Sequence, residues 1–140
     1  MAKITTDDFN RIIAEDLPLA RGLGLRLDAI ERSRAVIRIP YDDAMLRPGG
    51  TVAGPVMMAA ADDAMYAVIM SELGTIKKAV TTNLNINFMR RLEPGDVIAE
   101  GRILKLGRRL AVMEVTIHGE GSDELVSHAT GTYSIPPAAD

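Results

Sequence analysis

Gly54-Pro55-Val56-Met57-Met58-Ala59-Ala60-Ala61-Asp62-Asp63-Ala64-Met65-Tyr66-Ala67-Val68-Ile69-Met70 is the stretch on which the fold turns. From Val56 to Met70 it is apolar on nearly every side, broken only by Asp62, Asp63 and the Tyr66 hydroxyl. A helix apolar all round is a buried helix. Pro55 suits a first helical position, where a missing N–H costs nothing, and Gly74 is placed to end the helix. The alanines at 59, 60, 61, 64 and 67 would let a sheet approach closely.

The flanking sequence supplies that sheet. Upstream, Thr6-Asp7-Asp8 reads as an N-cap with an acidic first turn. Phe9, Ile12 and Ile13 follow at helical spacing, and Pro18 is expected to stop this helix, spanning about 6–16. Leu25, Leu27 and Ala29 alternate as one strand, and Ala35, Ile37 and Ile39 as a second, joined through Glu31-Arg32-Ser33-Arg34. A loop from Pro40 to Val52 carries Pro48-Gly49-Gly50. Downstream, Thr81 to Met89 alternates, which predicts Leu84, Ile86 and Phe88 on one face and Thr81, Asn83, Asn85 and Asn87 on the other. Three more strands are expected over Val97 to Leu106, Leu110 to His118 and Leu125 to Ile135, separated by turn-forming segments. The class is α+β, an antiparallel sheet wrapped around one long central helix. One domain covers residues 1–140, its core about 24–136.

Composition narrows the chemistry. The chain has 140 residues, is 47% apolar and lacks cysteine, so disulfides, thiolate metal sites and cysteine nucleophiles are out. A net charge of −3 argues against a nucleic-acid surface. The apolar runs, Met57 to Ala61 among them, are far too short to span a bilayer. The polar, acidic N-terminus lacks the order of a signal peptide, so a cytoplasmic protein without membrane attachment is the expectation. His118 and His128 have no third ligand in view, and no metal is expected.

Gly49-Gly50-Thr51-Val52-Ala53-Gly54-Pro55 followed by Ala59-Ala60-Ala61-Asp62-Asp63-Ala64-Met65 resembles the glycine-rich loop and central helix of hotdog thioesterases of the phenylacetate-pathway (PaaI) type. Asn85-Ile86-Asn87-Phe88-Met89-Arg90-Arg91, Gly95-Asp96, Gly107-Arg108-Arg109-Leu110-Ala111-Val112 and Ala129-Thr130-Gly131-Thr132-Tyr133 are similar to that family's later strands. The resemblance implies a hotdog fold, a homodimer or homotetramer with its active site between subunits, and acyl-coenzyme A hydrolysis without metal or other cofactor. It also implies that Asp62 is the catalytic carboxylate, that the Gly54 N–H is the oxyanion donor, and that Thr81 places a hydroxyl near the attacking water. Ala53 and Pro55 would flank the substrate. Where the family usually has histidine and asparagine, this chain has Ala53 and Arg47. That leaves a second reading open, a hotdog protein that holds an acyl-CoA or lipid-like ligand without turnover.

The residue types fit the chemistry independently. Thioester hydrolysis needs a base or nucleophile, which a carboxylate can be, and donors where negative charge develops on oxygen, which a helix N-terminus offers. A carboxylate set among Val, Met and Ala is costly unless it is used or paired. Asp63 falls about 100° further round the helix, away from Asp62. Arg90, Arg91, Arg108 and Arg109, with Lys105, are candidates for the phosphates of coenzyme A.

Overall fold

The computed structural model describes residues 1–137. Helix α1 (Thr6–Asp16) opens with a capping box, Thr5 and Asp8 each accepting from the other's backbone N–H. Leu17 ends it, but Pro18 does not begin a loop: it starts a second helix, α2 (Pro18–Gly22). The fixed φ of proline that ends one helix suits the first turn of the next. A hairpin follows, β1 (Arg26–Glu31) and β2 (Arg34–Ile39). Then come the long helix α3 (Gly54–Leu73) and strands β3 (Val80–Phe88), β4 (Val97–Leu106), β5 (Leu110–Gly119) and β6 (Ser127–Ser134). The helix is thus one turn longer at its C-terminal end than its apolar run suggests, and Gly74 caps it at a φ of 79°.

The six strands form one antiparallel sheet in the order β1-β2-β4-β5-β6-β3. It wraps around α3, whose Ala60, Ala61, Ala64, Met65 and Ala67 to Met70 are fully buried. This is the hotdog arrangement that the sequence resemblance implies. The helix lies so close to the sheet that two strand positions must lack a Cβ. At Gly101 on β4 a Cβ would stand 2.9 Å from the Ala64 carbonyl oxygen, and at Gly131 on β6 it would stand 2.6 Å from Met65 Sδ and 2.9 Å from Asn83 O. Gly101→Ala is therefore expected to lower stability by about 1–3 kcal/mol, as overpacking does, and chemical denaturation would measure it.

The two sheet edges differ. On β1 the Asn10 side chain bonds both polar groups of Leu27, accepting from its N–H at 2.8 Å and donating to its carbonyl at 3.2 Å. That edge is blunted. The β3 edge has no such cover among the described residues, and Val80, Phe88 and Met89 along it are 57%, 47% and 51% exposed. An open edge bearing apolar side chains is a pairing surface.

Candidate active site

Asp62 sits mid-way along α3, half-buried, where the helix meets the β6–β3 end of the sheet. Its Oδ1 accepts two hydrogen bonds, from Thr81 Oγ1 at 2.6 Å and from the Tyr133 hydroxyl at 2.7 Å. The same phenol oxygen lies 2.9 Å from the Asp62 carbonyl oxygen.

The position of Thr81 corrects a sequence expectation. Simple alternation puts it with the asparagines, on the face away from the helix. A bulge in the β3–β6 pairing between Thr81 and Asn83 shifts the register by one, so Thr81 opposes Tyr133 while Asn83 opposes Thr132. Beyond the bulge Leu84, Ile86 and Phe88 oppose Gly131, Ala129 and Ser127. Thr81 thus joins their face, and its hydroxyl reaches Asp62. An extra residue of this kind re-aims a side chain.

Tyr133 is the residue that sequence reading left without a role. It is 3% exposed, stacked on Tyr66 with centroids 6.1 Å apart, and its hydroxyl points at Asp62. A tyrosine on the inward face of a strand needs a partner for its hydroxyl, and that was the available signal. Burial first, and then the neighbouring Asp62 carboxylate, raise its phenol pKa far above the ordinary value. The group remains a donor at any working pH.

Asp63 is not turned away from the site. With Asp62, Leu17, Pro18, Leu19, Ala20 and Ala59 it lines a pocket of about 230 Å³ between α2 and α3. Burial, reinforced by the charge of Asp62, pushes its carboxyl up to about 7. Between its unfolded value near 4 and the folded value, the native state holds a proton that the unfolded chain has released. The contribution of Asp63 to stability should therefore fall as pH rises from about 4 to about 7, then level off. Asp63→Asn removes this titration. It should match the parent near pH 4 and exceed it by about 1–3 kcal/mol at pH 8, measured by urea unfolding across the range.

At the other end of α3, Gly54 is the first helical residue, so its N–H lies outside the helical bond pattern. The preceding loop is held by Val52 N–H to Leu92 O at 2.9 Å and Ala53 N–H to Met45 O at 2.8 Å. A Cβ on Gly54 would stand 3.3 Å from the Phe88 ring. Pro55 is exposed and Ala53 half-buried beside it. Arg47 folds back on its own turn, donating to Pro48 O at 3.0 Å.

The four arginines fall into two pairs rather than one cluster. Arg90 and Arg91 follow the Phe88 end of β3, with Arg90 3.7 Å from Glu124. Arg108 and Arg109 lie in the β4–β5 turn, at the end where Val80 and Leu110 both pair with Ser134. A nine-residue strand separates the pairs, roughly 27 Å. Arg108 and Arg109 line an 850 Å³ cleft with Lys77, Lys78, Leu73 and Ile135. Lys105 is exposed near the end of β4. His118 Nδ1 lies 2.8 Å from Gly119 O, and His128 Nε2 lies 3.2 Å from Glu114. Among the described residues, no three histidine or acidic side chains gather as a metal-binding group.

The sequence pattern of the thioesterase superfamily matches residues 49–126, from the glycine turn through α3 to the approach of β6. The chain belongs to the thioesterase superfamily. A protein from Silicibacter sp., named a "putative thioesterase", superimposes with a TM-score of 0.85 at 38% identity, covering 98% of this chain and 95% of that one. A point mutant of the phenylacetic acid degradation protein PaaI from Thermus thermophilus superimposes with a TM-score of 0.74 at 28% identity, over 85% of this chain and 99% of that one. A protein of Saccharolobus solfataricus named "putative esterase" is 26% identical over 133 residues, 94% of this chain and 86% of that protein. The thioesterase fold and family support thioester hydrolysis as the class of chemistry. Among the described residues, no helix is long and apolar enough to cross a membrane.

Proposed function

We propose that the protein is an acyl-coenzyme A thioesterase whose active sites are completed by pairing of two copies. The observation that carries this reading is the setting of Asp62, a half-buried carboxylate held by Thr81 and Tyr133 at the wall of an apolar pocket. In the proposed step, a water oxygen bonds the thioester carbonyl carbon as the water's proton passes to Asp62. The tetrahedral intermediate collapses with cleavage of the C–S bond. The coenzyme A thiolate leaves and takes up a proton, and the acyl group departs as the acid. Coenzyme A enters as part of the substrate, and the step calls on no other cofactor.

Distance supports sharing between subunits. Gly54 and Asp62 are eight residues apart on one helix, about 12 Å along the axis and about 80° around it. A base and an oxyanion donor must converge on one carbonyl, about 3 Å from its reacting atoms. Gly54 of the same chain is too far. The exposed stripe of α3, with Pro55 at its start and Met58 40% exposed, continues the apolar surface toward Phe88 and Met89. Two β3 edges joined antiparallel about a two-fold axis would run the two α3 helices past one another. That arrangement brings Gly54 of the partner subunit toward Asp62. It also brings Arg90 and Arg91 beside the partner's Lys77, Lys78, Arg108 and Arg109, so the divided cations become one rim for the phosphates. Closed two-fold pairing is the commonest assembly, and a tetramer would double it.

The test is a panel of short, medium, long and aromatic acyl-CoAs, followed for release of free coenzyme A, with binding measured in parallel at low and high salt. Turnover of at least one member, with affinity that weakens as salt screens the basic rim, is the expected result. Binding without release selects instead the non-catalytic carrier, the reading favoured by the side-chain-poor Ala53 in the loop. Neither binding nor release removes coenzyme A thioesters from consideration.

A further inference from the structure

We infer that Tyr133 is a positioning residue for Asp62: with Thr81 it occupies Oδ1, leaving Oδ2 as the single oxygen presented to the reacting thioester. The inference rests on Asp62 being the hydrolytic carboxylate.

A free carboxylate has two equivalent oxygens, and rotation about its last bond exchanges them. Here Oδ1 accepts from two hydroxyls, at 2.6 and 2.7 Å, while Oδ2 accepts from no described residue. The two donors come from neighbouring strands, Thr81 from β3 and Tyr133 from β6, and oppose each other across the pairing. Rotation of the carboxylate would have to break both bonds at once. The phenol is also within reach of the Asp62 carbonyl at 2.9 Å, so its one proton is shared between side chain and backbone of the same residue. Tyr133 therefore registers the carboxylate against the helix itself.

Tyr133 is in turn held on its far side. Its ring stacks on Tyr66, and Phe9 of α1 packs edge-on against Tyr66 with centroids 6.0 Å apart. The Tyr66 hydroxyl donates to Lys77 O at 3.0 Å, tying down the chain just before β3. One aromatic file thus steadies both donors, Tyr133 directly and Thr81 through the entry to its strand. The charged groups that act on the Tyr133 phenol are Asp62 and Asp63, both on α3. Asp16, on α1, and Asp63 act on Tyr66 beyond it. Each of these carboxylates favours the protonated phenol, so Tyr133 stays a hydrogen-bond donor to Asp62.

The test is Tyr133→Phe, which keeps the ring and deletes the donor. The expected kcat falls by about tenfold, as loss of a hydrogen bond to a charged group implies. KM stays within about twofold, because binding does not use the lost bond. The acidic limb of the pH–rate profile moves to higher pH, because a carboxylate stripped of a donor holds its proton more firmly. A purely packing role would leave that limb in place. The midpoint of the Asp62 carboxyl carbon resonance, followed by NMR in ligand-free protein, should move the same way. Replacement of Tyr133 by 3,5-difluorotyrosine, a stronger donor of nearly the same shape, should move both midpoints to lower pH and serves if the phenylalanine variant does not fold. Midpoints unmoved in a folded variant overturn the inference. If the parent hydrolyses no acyl-CoA, the proposed function falls, and the resonance midpoint still decides the role of Tyr133.

Discussion

Asp62→Asn is expected to lower acyl-CoA hydrolysis by about 10²-fold or more, the loss that follows removal of a positioned base. The substitution keeps the size of the side chain, and its amide oxygen can still accept from Thr81 and Tyr133 at the two short contacts. What it removes is the basicity of the second oxygen. Affinity for the substrate should change little, since the carboxylate acts mainly as charge develops in the transition state. The expected pattern is a fall in kcat and kcat/KM together with a nearly constant Kd. Stability should hold or rise, because a desolvated charge has been taken out of the wall of an apolar pocket. Near-normal turnover by the Asn variant would remove Asp62 from the mechanism. A matching collapse in affinity would make it a binding group instead. Asp63 is the natural second suspect, because it lines the same pocket and titrates near neutrality. It lacks the paired donors that fix Asp62, and Asp63→Asn is expected to keep most of the activity.

Much of this site was legible before the structure, for identifiable reasons. The run from Val56 to Met70 could only be a buried helix, because no face of it is polar enough for water. Asp62 stood out against that background for the same reason. The three strands expected over Val97 to Leu106, Leu110 to His118 and Leu125 to Ile135 form as β4, β5 and β6 at close to those bounds, since the turn-forming segments between them mark where strands end. What was hidden depends on departures from regularity or on partners distant in sequence. Nothing in Thr81-Thr82-Asn83 announces a bulge, yet the bulge alone turns Thr81 toward Asp62. Helix α2 was masked because Pro18 serves equally as a stop and a start. Asp63 read as pointing elsewhere because a helical wheel counts angles, while a pocket spans them; the chain of α2 lies across both carboxylates. The four arginines, all candidates for the same phosphates in the sequence, fall at opposite ends of β3. Strand β4 carries the chain from one end of the sheet to the other between them.

A site shared between two subunits, as proposed, makes a sharper forecast than either substitution alone. Gly54→Pro deletes the proposed oxyanion N–H, a loss worth about 10²- to 10³-fold in rate for a single donor. Proline is well tolerated in the first turn of a helix, where that N–H has no intrahelical acceptor. Its ring would press on Phe88, a half-exposed side chain with room to yield. Asp62→Asn homodimers and Gly54→Pro homodimers should both be nearly inactive. If each active site draws Gly54 from one subunit and Asp62 from the other, a mixed dimer contains one site with both defects and one with neither. Unfolding and refolding an equimolar mixture should give half mixed dimers, so about a quarter of the parent's activity should return. If instead both groups act within one chain, every site in every dimer carries one lesion, and no activity returns. Recovery thus tests directly whether Gly54 and Asp62, about 12 Å apart along one α3, meet across two subunits. It is read as the appearance of turnover from two dead parents, a signal that partial misfolding of either variant cannot imitate. Light scattering on the same mixture establishes that the particles are dimers or a closed multiple of them, the state in which an exchanged subunit has a site to complete.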